Sequence, residues 1–153
     1  MQIFADNRKA NFSYEILEKY QAGLVLLGQE VKSIKMGMVG LAGSYVVFKG
    51  SELYLIGCHI PPYQPKNAPE YIAERERKLL LTKKELLYLK GKSSQKGLTF
   101  VPLKIYTRGS RINKFVFGKI KLEFALARLI KKKDQRQVIK KREAEREMGE
   151  FLG

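Results

Sequence analysis

Tyr45-Val46-Val47-Phe48-Lys49-Gly50-Ser51-Glu52-Leu53-Tyr54-Leu55-Ile56 reads as a β-hairpin. β-Branched and aromatic residues fill the first arm, which suits a pleated, half-buried surface. Lys49 to Glu52 is the turn, and Leu53 to Ile56 is the return strand. Working outward, strand signals recur on both sides. Upstream, apolar and polar residues alternate from Tyr14 to Tyr20, a strand used on both faces. Gly23 to Gly28 is a short apolar run between glycines, consistent with a buried strand. Downstream, Gly97 opens a strand from Leu98 to Tyr106, and Phe115 to Phe117 and Ile120 to Leu126 follow. About six strands with helices between them predict a mainly β (α+β) fold, a closed or nearly closed antiparallel barrel.

Met1 to Ala10 is a polar lead-in. Gly28-Gln29-Glu30-Val31-Lys32-Ser33-Ile34-Lys35 is a short helical turn with a glycine stop at Gly37. Val31 and Ile34 are expected inward, with Glu30 and Lys32 outward. Gln64 to Pro69 is a loop after the Pro61-Pro62 bend. Glu70 to Lys92 is helix-like, with an apolar stripe of Leu79, Leu80, Leu86, Leu87 and Leu89. Thr82-Lys83-Lys84-Glu85 matches a capping box, so a second helix starts at Thr82.

The charge balance restricts the partners. The chain has 153 residues, enough for one core, with 30 Lys+Arg against 15 Asp+Glu, a net +15. Such an excess points to a polyanion, nucleic acid first and an acidic membrane surface second. No run of apolar residues is long enough to span a bilayer. One cysteine, Cys58, excludes a disulfide framework, and the cytoplasm is the expected location. Arg128 to Arg142 holds eight Lys/Arg (Arg128, Lys131, Lys132, Lys133, Arg136, Lys140, Lys141, Arg142) and one acid, Asp134. Its few aliphatics cannot bury a core. The expected division is therefore a barrel over 1–128 and a basic tail over 129–153, disordered when free and helical on an RNA surface.

Catalytic constellations are missing from the pattern. His59 is the only histidine, and its neighbour Cys58 would face the opposite side of a strand. No Cys/His spacing suits zinc, and no glycine-rich phosphate loop is present. Neither enzyme activity nor a cofactor is expected. A carboxylate in so basic a chain has two readings. Glu30 either accepts hydrogen bonds from a base edge or 2′-hydroxyl, or it is an acid favoured at a helix start. Tyr63, beside Pro61-Pro62, is a stacking candidate.

Ordered signatures carry the reading further: Asn7-Arg8-Lys9-Ala10, Tyr14-Glu15-Ile16-Leu17-Glu18, Gly28-Gln29-Glu30-Val31-Lys32-Ser33, His59-Ile60-Pro61-Pro62-Tyr63, Arg77-Lys78-Leu79-Leu80-Leu81 and Gly97 to Tyr106. In this order they resemble the small protein B (SmpB) family, which binds the SsrA RNA, also called transfer-messenger RNA. The resemblance implies an oligonucleotide-binding-like barrel with flanking helices, holding the elbow of the tRNA-like domain. It places RNA contacts at Asn7, Glu30, Lys32, Tyr63 and Leu80, with Lys9, Ser33, Arg77, Lys78 and Lys83 beside them. It implies a tail (Lys131, Lys132, Lys133, Asp134, Arg136, Lys140, Lys141, Arg142) that enters the small ribosomal subunit near the decoding centre. The implied protein is an adaptor in ribosome rescue, a monomer bound one-to-one to its RNA. A general structured-RNA-binding or ribosome-associated protein is the alternative. The tail differs from the family's Gly-Lys-Lys-x-(His/Tyr)-Asp-Lys-Arg pattern at Leu129, Lys133 and Gln135.

Overall fold

The computed structural model describes residues 1–64, 70–108, 111–112, 115–116, 119–130 and 140–146, with backbone alone at 111–112 and 115–116. In chain order the elements are β1 (Gln2–Asp6), α1 (Ala10–Ser13), β2 (Tyr14–Leu24), α2 (Gly28–Lys35), β3 (Tyr45–Lys49) and β4 (Glu52–Ile56). β5 (Arg77–Leu80), α3 (Lys83–Ser93), β6 (Leu98–Thr107), β7 (Arg111–Ile112), β8 (Phe115–Val116) and β9 (Ile120–Leu129) follow. Residues 140–146 are also helical.

Six strands close a ring in the order β6-β3-β4-β5-β2-β9, with β9 returning to pair with β6. Every pairing is antiparallel. The hairpin forms where its residues predict, with Tyr45 opposite Ile56 and Lys49 opposite Glu52. Gly50 takes φ +64° in the turn, a region that L side chains enter only at a cost. Alternation along the long strands puts Leu122, Phe124 and Leu126 of β9 inside. They meet Leu53, Leu55, Leu79, Phe100 and Ile105 in one core cluster. Pro102 sits in β6 opposite Phe124, next to a register shift, the kind of irregular position where a strand accepts proline.

The two longer helices close the two ends of the ring. α2 lies between the end of β2 and the start of β3, and α3 between the end of β5 and the start of β6. In an antiparallel ring with this register these are opposite ends. Ile34 of α2 and Leu86 and Leu89 of α3 plug the core from either side. Thr82 caps α3 as expected: its hydroxyl accepts from Glu85 N at 3.2 Å, and Thr82 N donates to Glu85 Oε1 at 3.1 Å.

The polar lead-in contains β1, which pairs along β6 from Gln2 opposite Thr107 to Asp6 opposite Lys104. The Gly23–Gly28 run is no separate strand: β2 runs unbroken to Leu24 and then stops. Residues 77–80 form β5, not helix. A leucine-rich stretch without β-branched residues carries no strand signal of its own. Pairing to β4 on one side and β2 on the other overrides its helical spacing. Phe115–Val116 pairs in a small separate hairpin with Arg111–Ile112, outside the ring. β9 also runs through Leu129, and Ile130 N donates to Ser13 O at 2.9 Å, so strand pairing extends past residue 128. Residues 65–69 and 131–139 lie outside the described residues, so most of the expected loop and tail do as well.

Candidate nucleic-acid interface

The organising group is a buried ion cluster under α2. Residues 30, 33 and 34 stand three and four apart, so they share one helix face. Ile34 needs the core, and Glu30 and Ser33 go in with it: all three are buried. The expected outward orientation of Glu30 is therefore wrong, and Ser33 and Arg77, placed by the resemblance beside the RNA contacts, are buried too. Glu30 Oε1 accepts from Leu27 N at 2.8 Å and from Arg75 Nη2 at 2.5 Å. Oε2 accepts from Arg77 Nε at 2.8 Å, from Arg77 Nη2, and from the Tyr71 hydroxyl at 3.1 Å. Arg77 also donates to the carbonyls of Cys58 at 2.7 Å and Ala73 at 2.9 Å. Ser33 Oγ donates to Pro61 O at 2.7 Å.

Burial pushes the Glu30 carboxyl up, but the hydrogen bonds from Arg75, Leu27 N and Arg77 outweigh it and hold the group below the usual carboxylate range. It is an anion in this fold. Burial and the Glu30 charge push the Tyr71 hydroxyl up to about 12, which keeps it a donor. The cluster thus pins α2, the 58–61 segment, the 71–75 segment and β5 to one another. What it holds in place is the surface around it. Lys32 points outward, with Nζ 5.7 Å from the centre of the exposed Tyr63 ring. That pair presents a flat aromatic and a cation together, which suits a base or ribose beside a phosphate.

Strand alternation orders the rest of β5. Arg77 and Leu79 face inward, while Lys78 and Leu80 face out. Leu80 lies opposite Gly23, 3.3 Å from where a side chain there would begin, and stays 55% exposed. Lys83 follows at the start of α3, exposed. Lys32, Tyr63, Lys78, Leu80 and Lys83 thus run from the α2 end of the barrel toward the α3 end. Asn7 and Lys9 are not part of this run. Asn7 Nδ2 donates to Pro102 O at 2.9 Å, anchoring the chain on β6, which is separated from β5 by β3 and β4. The two line a cleft of about 450 Å³ with Arg8, Tyr45 and Thr99. The expected contact residues therefore fall in two groups on different sides of the ring.

In the tail set, Lys140, Lys141 and Arg142 are exposed on the helical segment 140–146. Arg142 donates to Asn11 O and lies 5.5 Å from the Phe12 ring centre. Lys131, Lys132, Lys133, Asp134 and Arg136 lie outside the described residues. Tyr71 carries no site reading from sequence, and Arg75 is distinguished there only as one of the basic residues of the 70–92 stretch that lie outside its apolar stripe. A glutamate meant for burial needs cations, but nothing local pairs position 30 with positions 71–77.

Other chemistry is sparse on this surface. Cys58 is buried, and burial pushes its thiol up to about 11, far from a nucleophile's range. His59 faces the other way, exposed, with Nδ1 2.6 Å from Glu74 Oε1. Among the described residues no cluster of His, Cys, Asp and Glu is placed to hold a metal ion, and no helix is long and apolar enough to cross a membrane.

Known proteins match nearly the whole chain. A family model described as SmpB protein matches residues 4–152. The SsrA-binding protein of Carboxydothermus hydrogenoformans is 44% identical over 151 residues, 99% of this chain and 96% of that one. The SsrA-binding protein of Thermosynechococcus vestitus is 45% identical over 150 residues, 97% and 93% of the two chains. A solved structure described as "tmRNA-SmpB: a journey to the center of the bacterial ribosome" superposes with a TM-score of 0.64 at 42% identity. It covers 88% of this chain and 92% of that one.

Proposed function

We infer the protein's role from one premise: the chain belongs to the SmpB family of SsrA-binding proteins. It is an RNA-binding adaptor in trans-translation, not an enzyme, and its partners are transfer-messenger RNA and the ribosome. The barrel binds the tRNA-like domain of that RNA, one-to-one, and delivers it to stalled ribosomes in the cytoplasm. The exposed run Lys32, Tyr63, Lys78, Leu80 and Lys83 makes one contact surface, and Asn7 and Lys9 make a second. Phosphate contacts set the register, while stacking and 2′-hydroxyl contacts recognise the RNA's shape. The basic tail then occupies the decoding region of the small subunit.

The observation that carries this reading is the Lys32–Tyr63 pair, an exposed cation and ring held on the rigid α2 end. Its test is Tyr63→Ala, titrated against a transcript of the tRNA-like domain. Loss of one stacked base costs about 1–3 kcal/mol. Unchanged affinity would remove Tyr63 from the interface. Net charge +15 favours a second reading, a binder of any structured RNA. That protein would bind unrelated folded RNAs equally well, with affinity falling steeply as salt rises.

A further inference from the structure

Glu30 reaches no solvent, so it meets no RNA unless α2 moves. Its two arginines differ. Arg77 is buried, whereas the Arg75 side chain is 34% exposed. One carboxylate faced by two guanidiniums leaves a cluster of net positive charge, with the surplus at the edge that reaches water. Arg77, with two bonds to Oε2, is by itself one full counter-charge to the carboxylate.

The Arg75 guanidinium is held on three sides. It donates to Glu30 Oε1 at 2.5 Å, to Glu76 O at 3.2 Å and to Val25 O at 3.4 Å, while its own backbone N donates to Ile72 O at 3.2 Å. Its buried Nε has no partner. Of five guanidinium N–H bonds three are spent and the Nε one is buried, which leaves one on Nη1. The backbone segments around this cluster carry exposed apolar side chains: Val25 at 44%, whose carbonyl accepts from Arg75, Ile72 at 64%, whose carbonyl accepts from the Arg75 backbone N, and Leu27 at 45%, whose N shares the Glu30 carboxylate. A planar cation fixed by three acceptors differs from a mobile surface lysine. It offers a flat face on which a nucleobase stacks.

We propose that Arg75 contacts RNA directly, stacking on an unpaired nucleobase of the tRNA-like domain, and that Glu30 is the positioning residue that fixes its plane. This rests on the family reading above and adds to it a residue and a division of labour. The acid needed for RNA recognition acts through an arginine, not by touching RNA.

The test is a fluorescence titration of the full chain and its variants, with a transcript of the tRNA-like domain and an unrelated folded RNA, across a range of salt. Arg75→Ala is expected to weaken binding to the tRNA-like transcript by about fivefold or more, to leave the unrelated RNA within about twofold, and to keep the far-ultraviolet spectrum. Arg75→Lys keeps the charge but loses the plane. It is expected to bind as weakly as Arg75→Ala while retaining the wild-type salt slope. Where Glu30→Gln folds, the pair Glu30→Gln, Arg75→Ala is expected to bind no worse than Arg75→Ala alone, the non-additivity of residues acting as a unit. Arg75→Ala within twofold of wild type overturns the proposal. So does full rescue by Arg75→Lys, which would reduce Arg75 to a charge. A wild-type protein that binds both RNAs equally would instead overturn the family-based reading itself.

Discussion

Arg77→Met tests whether the buried cluster holds the α2 end together. The change keeps most of the side chain's length and removes every donor. Glu30 then loses two bonds to Oε2 but keeps Arg75, Leu27 N and Tyr71. The carbonyls of Cys58 and Ala73 lose donors at 2.7 and 2.9 Å. Removing one partner of a buried ion pair costs about 3–5 kcal/mol. Arg75 offsets part of that, and each carbonyl left unpaired adds about 1–3 kcal/mol where water cannot reach it. The expected loss is about 3–5 kcal/mol in total. For a chain of this length that corresponds to a fall in Tm of roughly 6–20 °C. Urea unfolding followed by circular dichroism measures it, with the midpoint lowered and the slope unchanged. A loss below about 1 kcal/mol, the range of an exposed pair, would refute the claim that the cluster is buried and structural.

Glu30 also sets an acid limit. Its folded-state pKa is depressed, so its contribution is present above the unfolded value, about 4.3, and is lost as pH falls through the folded value. Urea midpoints between neutral pH and pH 3 should fall on the acid side in the wild type and fall less in Glu30→Gln. Thr82→Ala removes the acceptor for Glu85 N and should cost about 1 kcal/mol, read as a lowered thermal midpoint. A chain ended after Ile130 keeps β9 whole and should bind the tRNA-like transcript within about tenfold, roughly 1.4 kcal/mol, yet fail to support tagging on stalled ribosomes in a reconstituted translation system. Preserved tagging would sink the role given to the tail.

What could be read from the chain was what depends on near neighbours. The hairpin over 45–56 was legible because its arms and turn are contiguous. The start of α3 was legible because Thr82 and Glu85 are three residues apart. β5 was not legible. Arg77–Leu80 has helical spacing and becomes strand only through partners about 25 and 55 residues upstream in the chain, an order of separation that local pattern does not carry. β1 was hidden because its pairing partner lies at the far end of β6. In the site, Lys32, Tyr63 and Leu80 lie on the surface, where an RNA contact requires them. Glu30 was misplaced because its outward reading ignored that it shares Ile34's helix face, and because its cations arrive from 45 and 47 residues away.

The central claim is that this surface recognises one RNA and does not simply attract polyanions. A parallel titration at near-physiological salt, with transfer-messenger RNA, an ordinary tRNA and an unrelated folded RNA, tests it most directly. A preference of about a hundredfold or more for transfer-messenger RNA over the unrelated RNA, roughly 2.7 kcal/mol, is the predicted result. Equal affinities that fall together with rising salt would contradict it and leave net charge as the whole basis of binding.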